Sequence, residues 1–116
     1  MPNRTDATDI PDDAELWRRI DGGMLDPTTQ TLQSWAWDDQ QHEVSVYFGK
    51  ETTAEAVLAA GKSDQRIIKI TAGALRSLGY IVARDPEPDN SAHCVILPYP
   101  NTRKKRKALC DRSFWG

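Results

Sequence analysis

Two histidines and the acidic residues near one of them are the side chains with which this chain could do chemistry. His42 and His93 are the only histidines, and two histidines near a cation can act as base and acid in metal-free phosphodiester cleavage. His93 follows Asp85 and Asp89, and a carboxylate there could hold the imidazole in one tautomer. His93 and Asp85 are therefore the candidate catalytic residues. We favour a hydrogen-bonded structural histidine, because one strand histidine predicts a site weakly and HExxH, GxSxG and P-loop motifs are absent.

The acidic loop before His93 also contains oxygen ligands that Ca²⁺ or Mg²⁺ would accept. The loop, Asp85 to Asn90, lacks the glycine and the distant bidentate glutamate of an EF-hand, so a solvated hairpin tip is the favoured interpretation. Cys94 and Cys110 have no CxxC spacing and are expected to be reduced thiols used in packing. The sequence thus predicts neither a metal site nor a cofactor.

A basic run near the end of the chain is its strongest electrostatic feature. Residues 101–116 hold six of the fifteen basic side chains and one of the seventeen acidic ones, which leaves an acidic remainder. Cations in the first turn of a helix oppose its dipole, and a docked anion makes that placement easier to tolerate. An acidic protein surface or intramolecular docking ranks above DNA or RNA, because the remainder repels a polyanion and no aromatic residue interleaves with the run. A flexible solvated face is the other alternative. The candidate partner- or anion-binding residues are Arg103, Lys104, Lys105, Arg106 and Lys107.

Two closely spaced tryptophans are further candidates for partner binding. Trp35 and Trp37 would point to one face of an extended segment, where they could form a stacking platform or a protein-binding patch. Because no basic cluster lies beside them, we favour the alternative that they cover the edge of the core.

The elements that must position these residues follow from periodicity and turn signals. Apolar runs at 80–83 and 94–97 flank the proline-containing loop and predict a β-hairpin. Alternation over Glu43–Phe48 predicts another strand, whereas the short apolar run 66–70 is either a strand or the lead-in to a helix. Helices are predicted from four capping signals, at Asp12, at Thr52, at Thr71 and at Asn101 or Thr102.

These elements predict an α+β fold, a small, mostly antiparallel sheet with helices packed on one face. Residues 1–9 are predicted to be a disordered tail, and residues 10–116 a single domain. In the hairpin, we expect Ile81, Cys94 and Ile96 to face the helix that begins after Thr71, with His93 on the more open face.

Several segments resemble a family of small bacterial proteins to which no activity is assigned. They are LWRRI (16–20), EVSVYF (43–48), ITAGALRSLGYIVARDPEPDNSAHCVI (70–96) and KALCDRSFW (107–115). The resemblance implies a cytosolic bacterial protein. The absence of an apolar run of roughly 18 residues and the polar, acidic N-terminus also favour the cytosol.

The function predicted from the sequence is non-enzymatic binding of a larger protein, as an accessory or immunity-like partner, with no membrane involved. Two alternatives stay open. One is a metal-independent nuclease or hydrolase that uses His93. The other is nucleic-acid binding through the basic helix 102–110.

Overall fold

A five-stranded antiparallel sheet organises the chain. The computed structural model describes residues 5–20, 24–25, 28–29, 32–38, 44–59, 65–88 and 90–115. The sheet order is β3-β1-β2-β5-β4, and all four neighbouring pairs are antiparallel. The strands are β1 (Glu15–Ile20), β2 (Val44–Phe48), β3 (Arg66–Thr71), β4 (Ile81–Arg84) and β5 (His93–Leu97). The helices are α1 (Ala54–Ala59), α2 (Ala72–Ser77) and α3 (Arg103–Arg112), with 3₁₀ turns at Ser34–Trp37 and Gly49–Glu51. The predicted α+β class is confirmed. None of the helices in the described part of the chain is long and apolar enough to cross a membrane.

One face of the sheet carries the hydrophobic core. Residues paired across antiparallel strands point to the same side, so the strand register fixes which side chains share this face. Leu75 of α2, Leu109 of α3 and Trp37 of the 3₁₀ turn lie in the same buried cluster as the sheet residues. The sheet contributes Leu16, Ile20, Val44, Val46, Phe48, Ile68, Ile70, Val82, Cys94 and Ile96.

β1 replaces the helix predicted to begin at Asp12. Its burial alternates along the strand, with Leu16, Arg18 and Ile20 buried on the core face. It pairs with β3 over all six residues. Leu16 and Ile20, four residues apart, fit a helix face as well as alternate positions of a strand. The helix prediction was wrong because the residue between them on the buried face is an arginine, which hides the alternation.

Arg18 joins β1 to the Ser34–Trp37 turn. Its Nε donates to the carbonyl of Ala36 (2.7 Å), Nη1 to that of Ser45 (2.9 Å) and Nη2 to that of Asp38 (2.9 Å). The guanidinium carbon lies 5.4 Å from the centroid of the Trp37 ring. Only 7% of Arg18 is exposed, so a buried charge is solvated here by backbone carbonyls, as burial of an ionic group requires.

The segment before β1 runs alongside β4. The Asp6 carboxylate accepts a hydrogen bond from the Val82 amide (2.9 Å), and Asp9 pairs with Arg84 (2.6 Å). Residues 5–9, which were predicted to be part of a disordered tail, therefore include residues that contact β4. The contacts join residues more than seventy positions apart, and local composition carries no signal for them.

The hairpin of β4 and β5 has the predicted strands, but one of the three predicted inward residues is wrong. Cys94 and Ile96 are fully buried in the core, as predicted. Val82, rather than Ile81, is paired with Ile96 and shares its face, while Ile81 is paired with Leu97 on the opposite side. The left-handed backbone at Gly79 (φ 94°) returns the chain so that Tyr80 and Val82 point inward.

Candidate functional site

His93 begins β5 on the sheet face opposite the core. It is paired with Tyr47 of β2, and its carbonyl accepts a hydrogen bond from the Asp85 amide (3.0 Å). Only 5% of the residue is exposed. The expectation that His93 lies on the other face than Ile96 is thus confirmed, but the imidazole is buried within that face.

The groups around the imidazole belong mainly to the hairpin itself. Nδ1 lies 2.7 Å from the Asp85 carbonyl oxygen and 3.3 Å from its carboxylate Oδ2. A carbonyl only accepts, so Nδ1 donates to it, and Nε2 lies 3.9 Å from the Glu87 carboxylate. The Tyr47 ring contacts His93 edge-on, with centroids 5.3 Å apart. The predicted pair His93 and Asp85 is therefore brought together, in an arrangement that fits a structural histidine better than a base open to substrate.

The hairpin tip is a tight turn built around Asn90. Glu87 and Asn90 exchange two backbone hydrogen bonds of 3.1 Å. The Asn90 side chain accepts from the Ala92 amide (3.0 Å) and donates to the Thr52 hydroxyl (3.1 Å). Asn90 is thus occupied in structure, while Asp89 and the second histidine, His42, lie outside the described residues. Within the residues that are described, no three His, Cys, Asp or Glu side chains are grouped so as to hold a metal ion.

The basic run forms the first turns of α3. Thr102, one of the two predicted caps, is the N-cap, and its hydroxyl accepts a hydrogen bond from the Lys105 amide (3.2 Å). Leu109 is fully buried and anchors the helix to the core. Four cations of its first two turns are exposed, Arg103, Lys104, Lys105 and Lys107. We call these four residues the basic face.

Arg106 is not part of the basic face. It is half-buried, and its Nη1 donates to the Pro100 carbonyl (3.1 Å). Its Nε is buried and has no hydrogen-bond partner among the described atoms. Arg106 therefore differs from the other four predicted binding residues. Helical periodicity turns it toward the protein, on the side of Leu109 and Cys110.

The basic face has no acidic partner in the described part of the chain. Lys105 Nζ donates to the Asn101 side-chain oxygen (3.2 Å), a neutral group. The lysine and arginine ion pairs that the structure describes involve Lys69, Arg76 and Arg84 instead. The charges of the basic face are therefore available to an external anion.

A cavity of about 350 Å³ opens beside the first turns of α3. Leu78, Tyr80 and Ala108 supply its apolar lining, and Thr102, Lys104 and Lys105 complete it. Leu78, Tyr80 and Ala108 were not among the predicted site residues. The only local sequence signal for the cavity was Ala108. It interrupts the polar run, and because it follows Lys104 by four residues it lies on the same side of the helix as Lys104.

Trp37 does not offer a partner-binding surface. It is fully buried, and its indole Nε1 donates to the Ser113 hydroxyl (3.1 Å). The segment is a 3₁₀ turn instead of an extended strand, so Trp37 points into the core beside Arg18. The side chain of Trp35 lies outside what the structure describes.

The exposed aromatic side chains are at the end of the chain. Phe114 is 37% and Trp115 48% exposed, so neither side chain anchors the end of the chain in the core. The anchoring is done by the backbone, because Phe114 and Lys69 of β3 exchange hydrogen bonds of 2.8 and 2.9 Å. The Phe114 ring is thereby left at the sheet edge.

Similarity to known proteins adds nothing to this geometry. The chain matches no protein-family model, no curated protein and no solved structure. The resemblance to small bacterial proteins therefore stays a prediction, and the functional argument rests on the arrangement of residues described above.

Proposed function

We propose that this protein binds an acidic segment of a larger protein through the basic face of α3, and that it does so without catalysis. One observation carries the proposal. Four cations, Arg103, Lys104, Lys105 and Lys107, are exposed on a capped and anchored helix and have no acidic partner in the described residues. Such a cluster is unfavourable at a helix N-terminus unless an anion docks there, since each cation opposes the dipole by ~0.3–1 kcal/mol.

The way α3 is held supports binding of a shaped partner. Thr102 fixes the beginning of the helix and Leu109 fixes its inner side, so the backbone that carries the cations is ordered before any partner arrives. Preorganisation lowers the entropic cost of association. The net negative charge of the remainder of the chain also favours the approach of an acidic partner at α3.

The same charge layout weighs against nucleic acid as the main ligand. A long polyanion would reach past the basic face onto an acidic surface, whereas an acidic protein segment can be as short as α3. The burial of His93 weighs against a hydrolase, because a general base must come within hydrogen-bond reach of its substrate.

A pull-down from a bacterial lysate with tagged protein tests the proposal. The wild type is compared with Lys104→Gln/Lys105→Gln and with a matched double variant, Lys50→Gln/Arg66→Gln, which removes two exposed cations elsewhere. We expect a stoichiometric protein partner with the wild type and the matched variant, and its loss with the α3 variant. Recovery of RNA or DNA fragments in place of a protein, or equal capture by all three proteins, would overturn the proposal.

A further inference from the structure

The cavity beside α3 suggests how the partner segment is recognised. We infer that it holds one apolar side chain of the acidic segment while Lys104 and Lys105 pair with the neighbouring carboxylates. The inference rests on the proposed function and adds a requirement on the sequence of the partner segment. That segment must contain an aliphatic or aromatic side chain flanked by Asp or Glu.

The lining of the cavity fits that chemistry. Leu78 follows α2, Tyr80 leads into β4 and Ala108 lies on the second turn of α3, so three separate elements converge on one opening. The volume, about 350 Å³, is many times the ~30 Å³ that a water molecule takes up. An apolar group that entered the cavity would be transferred from water to an apolar surface. This transfer is favourable in proportion to the apolar area buried.

Tyr80 adds one polar atom to the apolar lining of the cavity. It lines the cavity and is only 7% exposed. Its hydroxyl makes no hydrogen bond to any described residue. Burial raises the pKa of the Tyr80 phenol. The hydroxyl is not among the fully buried, unpartnered atoms of the described residues, so it reaches the opening of the cavity, where a peptide backbone can form a hydrogen bond to it.

The extent of the positive charge favours a peptide over a small amphipathic carboxylate. A small carboxylate with an apolar tail would use the cavity together with Lys104 and Lys105 only. The basic face continues to Arg103 and to Lys107 on the next turn, neither of which lines the cavity. With a rise of ~1.5 Å per residue, these cations can be matched only by a ligand with several carboxylates spaced along it.

Fluorescence anisotropy with two labelled peptides tests the inference. Both consist of alternating Asp and Glu, with a central Leu in one and a central Ser in the other. We expect the Leu peptide to bind the wild type about tenfold more tightly, as burial of one aliphatic side chain predicts. Equal affinity of the two peptides would overturn the inference.

Variants of the lining locate the effect in the cavity. Ala108→Phe should fill the cavity and remove the preference for the Leu peptide over the Ser peptide. Tyr80→Phe should weaken both peptides several-fold, because the hydroxyl contacts the backbone. Lys107→Gln, on the basic face but outside the cavity, should weaken both peptides equally. If Ala108→Phe unfolds the protein, Ala108→Gln serves with the same expectation.

The outcomes separate this inference from the proposed function. If both peptides bind, depend on Lys104 and Lys105 and do not differ, then the proposed function stands and the cavity has no part in it. If neither peptide binds the wild type, both are overturned. If hexanoate displaces the Leu peptide as effectively as unlabelled Leu peptide does, the ligand is a small carboxylate and the peptide assignment is overturned.

Discussion

His93 Nδ1 lies 2.7 Å from the backbone carbonyl oxygen of Asp85, its partner across the β4–β5 hairpin. The bond closes the hairpin just before its turn, where the Asp85 amide also donates to the His93 carbonyl (3.0 Å). A buried polar side chain that bonds to backbone specifies local structure, since breaking the bond leaves a buried group unsatisfied. This contact, together with the burial of the residue, predicts a structural role for His93.

We therefore expect His93→Ala to lower the free energy of unfolding by about 1–3 kcal/mol. Asp85→Asn is the control and should cost less, because it leaves the backbone acceptor in place. Urea denaturation measures both. A His93→Ala protein of unchanged stability that has lost a phosphodiesterase activity present in the wild type would contradict the structural role and support the hydrolase.

The hairpin register gives a second prediction. Ile96 is fully buried in the core, whereas Ile81 is half-buried on the opposite face. Ile96→Ala should cost about 2–5 kcal/mol, a large part of the stability of a small domain. Ile81→Ala should cost clearly less in the same denaturation experiment. Equal losses, or a larger loss for Ile81, would mean that the register differs from the pairing of Val82 with Ile96.

Arg18 shows how much of the fold depends on one buried cation. Replacing it with Ala removes the donors to three carbonyl groups and exposes a face of Trp37. We expect a loss of about 3 kcal/mol or more in the free energy of unfolding. The exposed Arg66 provides the control, since surface substitutions usually stay within about 0.5 kcal/mol. A small effect at Arg18 would show that the Ser34–Trp37 turn is held by other contacts.

The acidic segment before β1 should make the fold acid-sensitive. Desolvation acts to raise the pKa of Asp6, but the hydrogen bond from the Val82 amide and the pairing with Arg76 outweigh it, so this pKa lies below the ordinary 3.8. A carboxyl group of this kind stabilises the fold above its unfolded-state pKa, and the contribution is lost as pH falls through the folded-state value. Stability should therefore fall below about pH 4.

Asp6→Asn tests that pH dependence. We expect its urea midpoint to be lower than that of the wild type at neutral pH and to change less between neutral and acid conditions. The exposed Asp13→Asn variant is the control and should follow the wild type. Parallel midpoint curves for Asp6→Asn and the wild type would show that the Asp6 carboxylate is not linked to folding.

What could be predicted from the sequence is what short-range patterns encode. β2 and both hairpin strands follow from β-branched and aromatic runs, and the beginnings of α2 and α3 follow from the caps Thr71 and Thr102. β1 was missed because Arg18 occupies a buried position that periodicity reserves for an apolar residue. Its partners, three carbonyls in two other segments of the chain, are set by tertiary structure alone.

The candidate site likewise has one part that the sequence predicts and one part that only the tertiary structure shows. The basic face was predictable because its cations are adjacent in sequence and Thr102 fixes the phase of the helix. The cavity was not, because Leu78, Tyr80 and Ala108 meet only when α2, β4 and α3 pack together. Trp37 lies in the core, in keeping with the favoured interpretation, but it belongs to a 3₁₀ turn instead of the extended segment expected for it.

Nucleic-acid binding through α3 makes a quantitative prediction of its own. On duplex DNA, the logarithm of the affinity would fall with the logarithm of salt concentration with a slope near −0.9 per phosphate contacted. Lys104→Gln/Lys105→Gln would then flatten the slope by about two units. We expect no such binding even at low salt, because the acidic remainder repels the duplex. Anisotropy of a labelled duplex measures it directly.

The central claim is that α3 recognises an acidic protein segment, and a competition measurement tests it most directly. The labelled Asp/Glu peptide with a central Leu is bound to the wild type at low salt, and unlabelled peptide or duplex DNA is added. We predict displacement by the peptide, none by the DNA, and no initial complex with Lys104→Gln/Lys105→Gln. Displacement by DNA at lower concentration than by peptide, or unchanged peptide binding by that variant, would contradict the account.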